Sequence, residues 1–135
     1  VQMEVGPVAT EFEQEDFGVT LAKCKRYFQF AGGKVGYEEA ALGFAISTSR
    51  CDYLYSYNPE MRASPALTFS ARSDWVHSDG AVARALTDDP SLLANHLNNK
   101  NSLIIASGSG LTAFRPHRLE PNNTTNARLN FDAEL

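Results

Sequence analysis

The chain has 135 residues, of which 43% are hydrophobic and 21% are charged, so length and composition predict one globular domain with its own core. The net charge of −4 argues against general binding to nucleic-acid backbones, and no apolar run approaches the roughly 18 residues that cross a bilayer. We therefore expect no nucleic-acid partner and no membrane insertion.

The first thirty residues combine an extended start, a polar linker and a helical turn. Apolar and polar residues alternate over residues 1–5, which predicts a half-buried strand. Residues 20–25 fit one helical turn, with Thr20 or Asp16 near its N-cap. Residues 26–30 are aromatic and β-prone, so they predict the next strand.

Two alternating segments follow in the middle of the chain. Residues 41–49 place Leu42, Phe44 and Ile46 on one face of a predicted strand. Residues 51–57 place a cysteine and three tyrosines on one face of the next. Alternation with a period of two is typical of strands that bury one face in a core.

The second half of the chain is interpreted as short strands separated by turns. The run at 92–97 also allows a helix, but its predicted neighbours are strands, so we favour a strand. The predicted elements are a strand at 66–71, a hairpin at 73–86 that turns at 78–80, strands at 92–97 and 103–106, and a terminal hairpin formed by 115–121 and 127–135.

These elements amount to about nine or ten short strands at roughly ten-residue spacing. Strands this short need distant partners, and their alternating faces can close two layers over one core. The predicted fold is all-β, an antiparallel, jelly-roll-like β-sandwich with one short helix near the N-terminus.

Three stretches of the chain resemble one known family. They are "VQMEVGPVATEFEQEDFGVTLAKCKRYFQF" (1–30), "EMRASPALTFSA" (60–71) and "ARLNFDAEL" (127–135). Together they are similar to the C-terminal domain of bacteriophage tail fibres and related receptor-binding virion proteins. The resemblance spans most of the chain and is most specific at the segment that contains Cys24, Arg26, Tyr27, Phe28 and Gln29.

The resemblance implies where the domain boundary lies in the chain and where in the virion the protein is located. Residues 1–20 would be the junction strand and linker from a preceding module, and residues 21–135 the distal β-sandwich domain. The chain begins at Val1 without a methionine, so we expect it to be part of a longer protein. The implied location is the distal end of a virion tail fibre, and fibres of this kind are usually homotrimers.

The sequence offers no catalytic constellation, so we expect no enzyme. Cys24 and Cys51 are interpreted as free, buried thiols, and a nucleophilic Cys24 would need a histidine base that no local signature supplies. A glycosidase-like carboxylate pair requires two acidic groups at reacting distance, and Asp52 with Glu60 remains open as such a pair.

No metal or cofactor is predicted. His77, His96 and His117 are spaced by 19 and 21 residues, unlike a compact zinc ligand set. Asp88 and Asp89 lack the ligand spacing of a calcium loop and fit an ordinary turn before Pro90.

The candidate ligand-binding residues are aromatic and polar, because aromatic rings stack on the apolar faces of sugars and neighbouring polar groups bind the hydroxyls. Trp75 lies in a polar stretch and is the best candidate for an exposed functional aromatic. The tyrosines are left open between ligand contact, core and intersubunit surface. The candidates are Trp75, Asp74, His77, Tyr53, Tyr55, Tyr57, Asn95 and Asn98.

Three functions remain open from the sequence. The first is a non-enzymatic adhesion module that binds a bacterial surface polysaccharide or another host receptor, with weak sites strengthened by multiple copies. The second is a structural domain that drives trimerisation or caps the fibre. The third, a polysaccharide-modifying enzyme, requires groups that converge only in space.

Overall fold

The computed structural model describes residues 15–134. The strand predicted at 1–5 lies outside the described residues and stays a prediction. Ten strands and one α-helix are described: α1 (Phe17–Lys25), β1 (Phe28–Ala31), β2 (Ala41–Ala45), β3 (Arg50–Ser56), β4 (Ala66–Phe69), β5 (Trp75–Ser78), β6 (Ala83–Ala85), β7 (Ser91–Leu92), β8 (Asn101–Ser107), β9 (Pro116–Pro121) and β10 (Leu129–Asp132).

The strands form two antiparallel sheets, which confirms the all-β sandwich class. The small sheet has the order β1-β10-β4, and the large sheet has the order β6-β5-β9-β2-β3-β8-β7 and curls into a half-barrel. The predicted hairpin at 73–86 is confirmed, because β5 and β6 pair with Val76 opposite Ala85.

The core lies between the two sheets, where alternate residues of each strand meet. Large aromatic and small side chains share this core, because the buried positions of β2 and the last buried position of β8 are alanines. The largest fully buried apolar side chains are Trp75, Tyr53, Phe131, Met61, Ile104, Leu119 and Leu129.

Gly43 sits where β2 approaches β3 too closely for any side chain. A Cβ atom there would lie 1.9 Å from the carbonyl oxygen of Asp52. Only glycine permits this approach of the two backbones.

The helix α1 is placed where the sequence predicts a helical turn. Asp16 is its N-cap, and its carboxylate accepts hydrogen bonds from the backbone N–H groups of Gly18 (2.8 Å) and Val19 (3.3 Å). None of its residues is buried, so the interpretation of Cys24 as a buried thiol is wrong, whereas Cys51 is free and buried as expected. Among residues 15–134, no helix is long and apolar enough to cross a bilayer.

Two of the predicted elements are wrong. The predicted terminal hairpin does not form, because β9 pairs with β2 and β5 in the large sheet, whereas β10 pairs with β1 and β4 in the small one. The predicted strand at 92–97 shrinks to the two residues of β7 and is followed by a 3₁₀ turn, Ala94–His96.

Candidate functional site

Trp75 is a core residue, which contradicts the prediction of an exposed functional aromatic. Its side chain is fully buried, and its indole N–H donates a hydrogen bond to Ser70 Oγ at 3.1 Å. It starts β5, which lies between β6 and β9, and all four residues of this strand are buried. The neighbouring Asp74 is partly exposed and ends a 3₁₀ turn. Its backbone carbonyl accepts a hydrogen bond from the N–H of Asn122.

The three tyrosines of the 51–57 segment share one face, as predicted, and this face is the core. Tyr53 is fully buried and Tyr57 nearly so, which excludes both from contact with a ligand at the surface. The Tyr57 hydroxyl donates a hydrogen bond to Ser102 Oγ at 2.5 Å. Tyr55 is half-buried and stacks on Phe131 with ring centroids 4.3 Å apart. The tyrosines therefore stabilise the contact between the sheets.

His77 belongs to a buried polar cluster, so it is not a surface ligand contact either. Its Nε2 lies 3.0 Å from the carbonyl oxygen of Ser107, and its Nδ1 lies 2.6 Å from the Tyr53 hydroxyl. A carbonyl only accepts, so Nε2 carries the proton and the Tyr53 hydroxyl donates to Nδ1. Burial lowers the pKa of His77, which keeps the ring neutral.

His117 packs edge-on against His77, with ring centroids 6.5 Å apart. It is also buried, and neither of its ring nitrogens has a partner among the described residues. Burial lowers its pKa as well. In the described part of the chain, no three His, Cys, Asp or Glu side chains are arranged to hold a metal ion.

The structure does not bring the asparagines to Trp75. Asn95 and Asn98 are exposed on the segment between β7 and β8, at the opposite side of the large sheet from β5. The Asn98 side-chain oxygen accepts from the backbone N–H groups of Lys100 (2.8 Å) and Asn101 (3.0 Å), so it stabilises a turn.

The carboxylates that the sequence left open as an acid–base pair have separate cationic partners. Asp52 forms a two-bond ion pair with Arg50, at 2.6 and 2.8 Å. Glu60 lies 3.3 Å from the amine of Lys100. Each carboxylate is therefore paired with a different cationic side chain, and the two carboxylates do not form an acid–base pair with each other.

A groove of about 540 Å³ runs along β1, between this strand, α1 and the end of β3. Aromatic and charged side chains line it together, including Phe28, Phe30, Tyr55, Lys34 and Glu38. Glu38 accepts a hydrogen bond from the backbone N–H of Lys34 at 3.0 Å, which fixes one wall.

The backbone of β1 is open on the side away from β10. The N–H of Ala133 donates to the carbonyl of Tyr27 at 2.7 Å, and the register continues with Gln29 opposite Phe131. Hydrogen bonds in an antiparallel ladder fall on every second pair. The N–H and C=O groups of Phe28 and Phe30 therefore point to the free edge of the sheet.

A second exposed feature is the outer face of the large sheet, on the side away from the core. Leu42, Phe44 and Ile46 do share one face, but it is this outer one. The signal in the sequence was the small size of the residues between them, Ala41, Gly43 and Ala45, of which the two alanines belong to the buried core cluster.

No family model, no curated protein and no solved structure matches this chain.

Proposed function

We propose that the chain is a non-catalytic, self-assembling module at the distal end of a bacteriophage tail fibre, where it forms a homotrimer. The observation that supports assembly most directly is helix α1. It has nine residues and buries none of them, and Phe17 at its start is 78% exposed. Helices shorter than about 12 residues are marginal in water without tertiary packing.

A second chain supplies the packing that α1 lacks. Val19 and Leu21 are also exposed on the helix, at 48% and 40%. Phe17 and Leu21 are four residues apart and share one face of the helix, and exposed apolar side chains grouped in this way mark an interaction site. The resemblance of residues 1–30 to tail-fibre sequences supports the fibre location and the trimer.

The test is the oligomeric state of the chain and of helix variants, measured by light scattering. We expect a trimer for the wild type and dissociation for Phe17→Ser with Leu21→Ser. Thr20→Ser, on the same helix, serves as the matched control and should leave the trimer intact. A monomeric wild-type chain overturns self-assembly, and a double variant that stays trimeric removes α1 from the interface.

A second function, adhesion to a bacterial surface glycan, is favoured by the groove along β1. Phe28 and Phe30 offer half-exposed rings that can stack on sugar faces. Lys34 and Glu38, with the open backbone groups of β1, offer hydrogen bonds to hydroxyls. In a trimer three such sites would act together, so weak binding at each would suffice.

Glycan-array binding of the chain tests the adhesion proposal. We expect binding to a host polysaccharide that Phe30→Ala weakens at least tenfold. Phe114→Ala is the matched control, because Phe114 is strongly exposed and is not among the residues that line the groove. Equal loss of binding in both variants, or no binding by the wild type, would contradict adhesion through this groove.

A further inference from the structure

Polar side chains gather on the inner face of the large sheet, where the pairing of β5 with β9 ends. The ladder between these strands ends with Ser78 opposite Arg118, so the next residues in the same register are Asp79 and His117. Residues opposite each other project their side chains to the same side of a sheet. The ring of His77, two residues before Asp79, lies edge-on to the ring of His117. Asp79 and the two histidines are therefore neighbours on one face.

Asp79 holds two arginines on this face with a single carboxylate oxygen. Its Oδ2 lies 3.5 Å from Nη1 of Arg84 and 3.3 Å from Nη1 of Arg115. Its Oδ1 accepts hydrogen bonds from the backbone N–H groups of Val82 and Ala81, which lower the pKa of Asp79 to about 2. The carboxylate therefore stays charged in mildly acidic as well as neutral solution. These groups form the inner polar cluster, which consists of His77, Asp79, Arg84, Arg115 and His117.

His117 is the member of the cluster that can take up a proton without losing a hydrogen bond. The residue is 2% exposed, and neither of its ring nitrogens has a partner among the described residues. On His77, by contrast, Nδ1 accepts from the Tyr53 hydroxyl and Nε2 donates to the carbonyl of Ser107. A proton on Nδ1 of His77 would displace the one that Tyr53 donates. The first proton to enter the cluster therefore goes to His117.

The folded structure opposes this proton. The two arginines and one carboxylate of the cluster give a net charge of +1, which a protonated His117 would raise to +2. Across the sheet, β2 places Gly43 opposite His117, and β3 contributes Cys51 and Tyr53, which stay neutral because burial raises the pKa of both. Burial lowers the pKa of His117, and the two arginines lower it further, against the opposing charge of Asp79. A state that opens the cluster to water therefore binds the proton more tightly than the closed one.

The strand β6 is the element that such an opening can release. It has three residues, Ala83–Ala85, lies at the edge of the large sheet and pairs with β5. Two of its residues are exposed, and Val82 before it is 49% exposed. Its half-buried Arg84 lies opposite His77 and is bound by Asp79. Segments with few buried contacts open at the lowest free energy, so β6 should open before the core strands do.

We propose that His117 is an acid sensor, and that its protonation releases residues 79–85 from the large sheet while the rest of the sandwich stays folded. The release separates the charged imidazole from Arg84 and gives it access to water. The sensor is independent of the proposed assembly and adhesion, because it lies inside a single chain.

Hydrogen exchange of the β6 amides, followed by NMR at about pH 7.5 and 5.5 and corrected for intrinsic exchange, tests the release. We expect protection of these amides to fall about tenfold on acidification. That is the change given by one histidine whose pKa is near 6.5 in the open state and well below 5.5 in the closed one. At both pH values the β6 amides should be less protected than those of β3 and β8, which marks the opening as local.

Three variants assign the effect to the cluster. His117→Phe keeps a ring at this position but cannot be protonated, so its β6 protection should not change with pH. His96→Gln is the matched control, because His96 is exposed in the 3₁₀ turn after β7, and it should behave like the wild type. Asp79→Asn removes the one carboxylate of the cluster, so β6 should be poorly protected already at pH 7.5.

Each contrary result overturns a defined part of the proposal. A wild-type β6 whose protection does not depend on pH excludes the release, and a His117→Phe chain that keeps the tenfold loss excludes His117 as the sensor. Equal protection of β6, β3 and β8 in acid would mean that the whole domain unfolds. An Asp79→Asn chain with full protection at pH 7.5 contradicts the charge balance. If His117→Phe does not fold, His117→Gln, which is also uncharged, replaces it.

Discussion

Removal of a single oxygen atom tests whether the tyrosines of β3 belong to the core. In Tyr53→Phe the hydroxyl that donates to His77 Nδ1 at 2.6 Å is lost, and both side chains are fully buried. The acceptor nitrogen then has no donor and no access to water. An unsatisfied buried acceptor costs about 1–3 kcal/mol.

A loss of about 2 kcal/mol lowers the melting temperature of a domain of this size by roughly 6–10 °C. Urea unfolding followed by the fluorescence of Trp75 gives the free energy directly, at one fixed chain concentration because assembly shifts apparent stability. The control is Tyr37→Phe, whose parent side chain is 61% exposed and which should change stability by less than about 0.5 kcal/mol. If Tyr53→Phe is as stable as the wild type, the buried Tyr53–His77 bond is refuted.

Three further predictions concern the histidine, the glycine and the helix cap. Burial lowers the pKa of His77, so below about pH 6.5 the unfolded chain binds more protons than the folded one. The free energy of unfolding should therefore keep its full value above that pH and decrease as the pH falls from 7 to 5. A urea midpoint that does not change over this range would contradict this. Asp79 does not titrate in that window, because the backbone N–H groups of Val82 and Ala81 lower its pKa to about 2. Gly43→Ala should destabilise the chain by about 2 kcal/mol or more in thermal unfolding, because the Cβ atom of the new alanine would clash with the Asp52 carbonyl. An unchanged melting temperature would show that β2 and β3 can move apart at this position without cost. Asp16→Ala should weaken α1 by about 1 kcal/mol and reduce helical circular dichroism, whereas Asp16→Asn should keep most of the signal; equal losses would exclude the cap as the cause.

The strands were predictable because their alternation is local, but their partners were not. Residues 51–57 and 73–86 formed the strand and the hairpin that their patterns indicate. The segment 122–126 has the composition of a tight turn, yet β9 and β10 on either side of it enter different sheets. Pairing depends on side-chain contacts with distant strands, which no local pattern contains.

The site predictions were less successful, because sequence neighbours are poor guides to burial in a sandwich. Trp75 stands among polar residues, but β5 lies between two other strands and all of it is buried. Leu42 and Phe44 have the alternation of core residues and point outward instead. Alternation alone does not decide which face of a strand is the inner one; the small residues Ala41 and Ala45 of β2 turned out to belong to the same buried cluster as Tyr53 and Trp75.

The most direct test of self-assembly is sedimentation equilibrium of the unmodified 1–135 chain over a wide concentration range. A sandwich that leaves α1 and one sheet face apolar and open should be trimeric, with three times the mass of a single chain. A monodisperse species with the mass of one chain, stable and folded at high concentration, would contradict the proposed assembly.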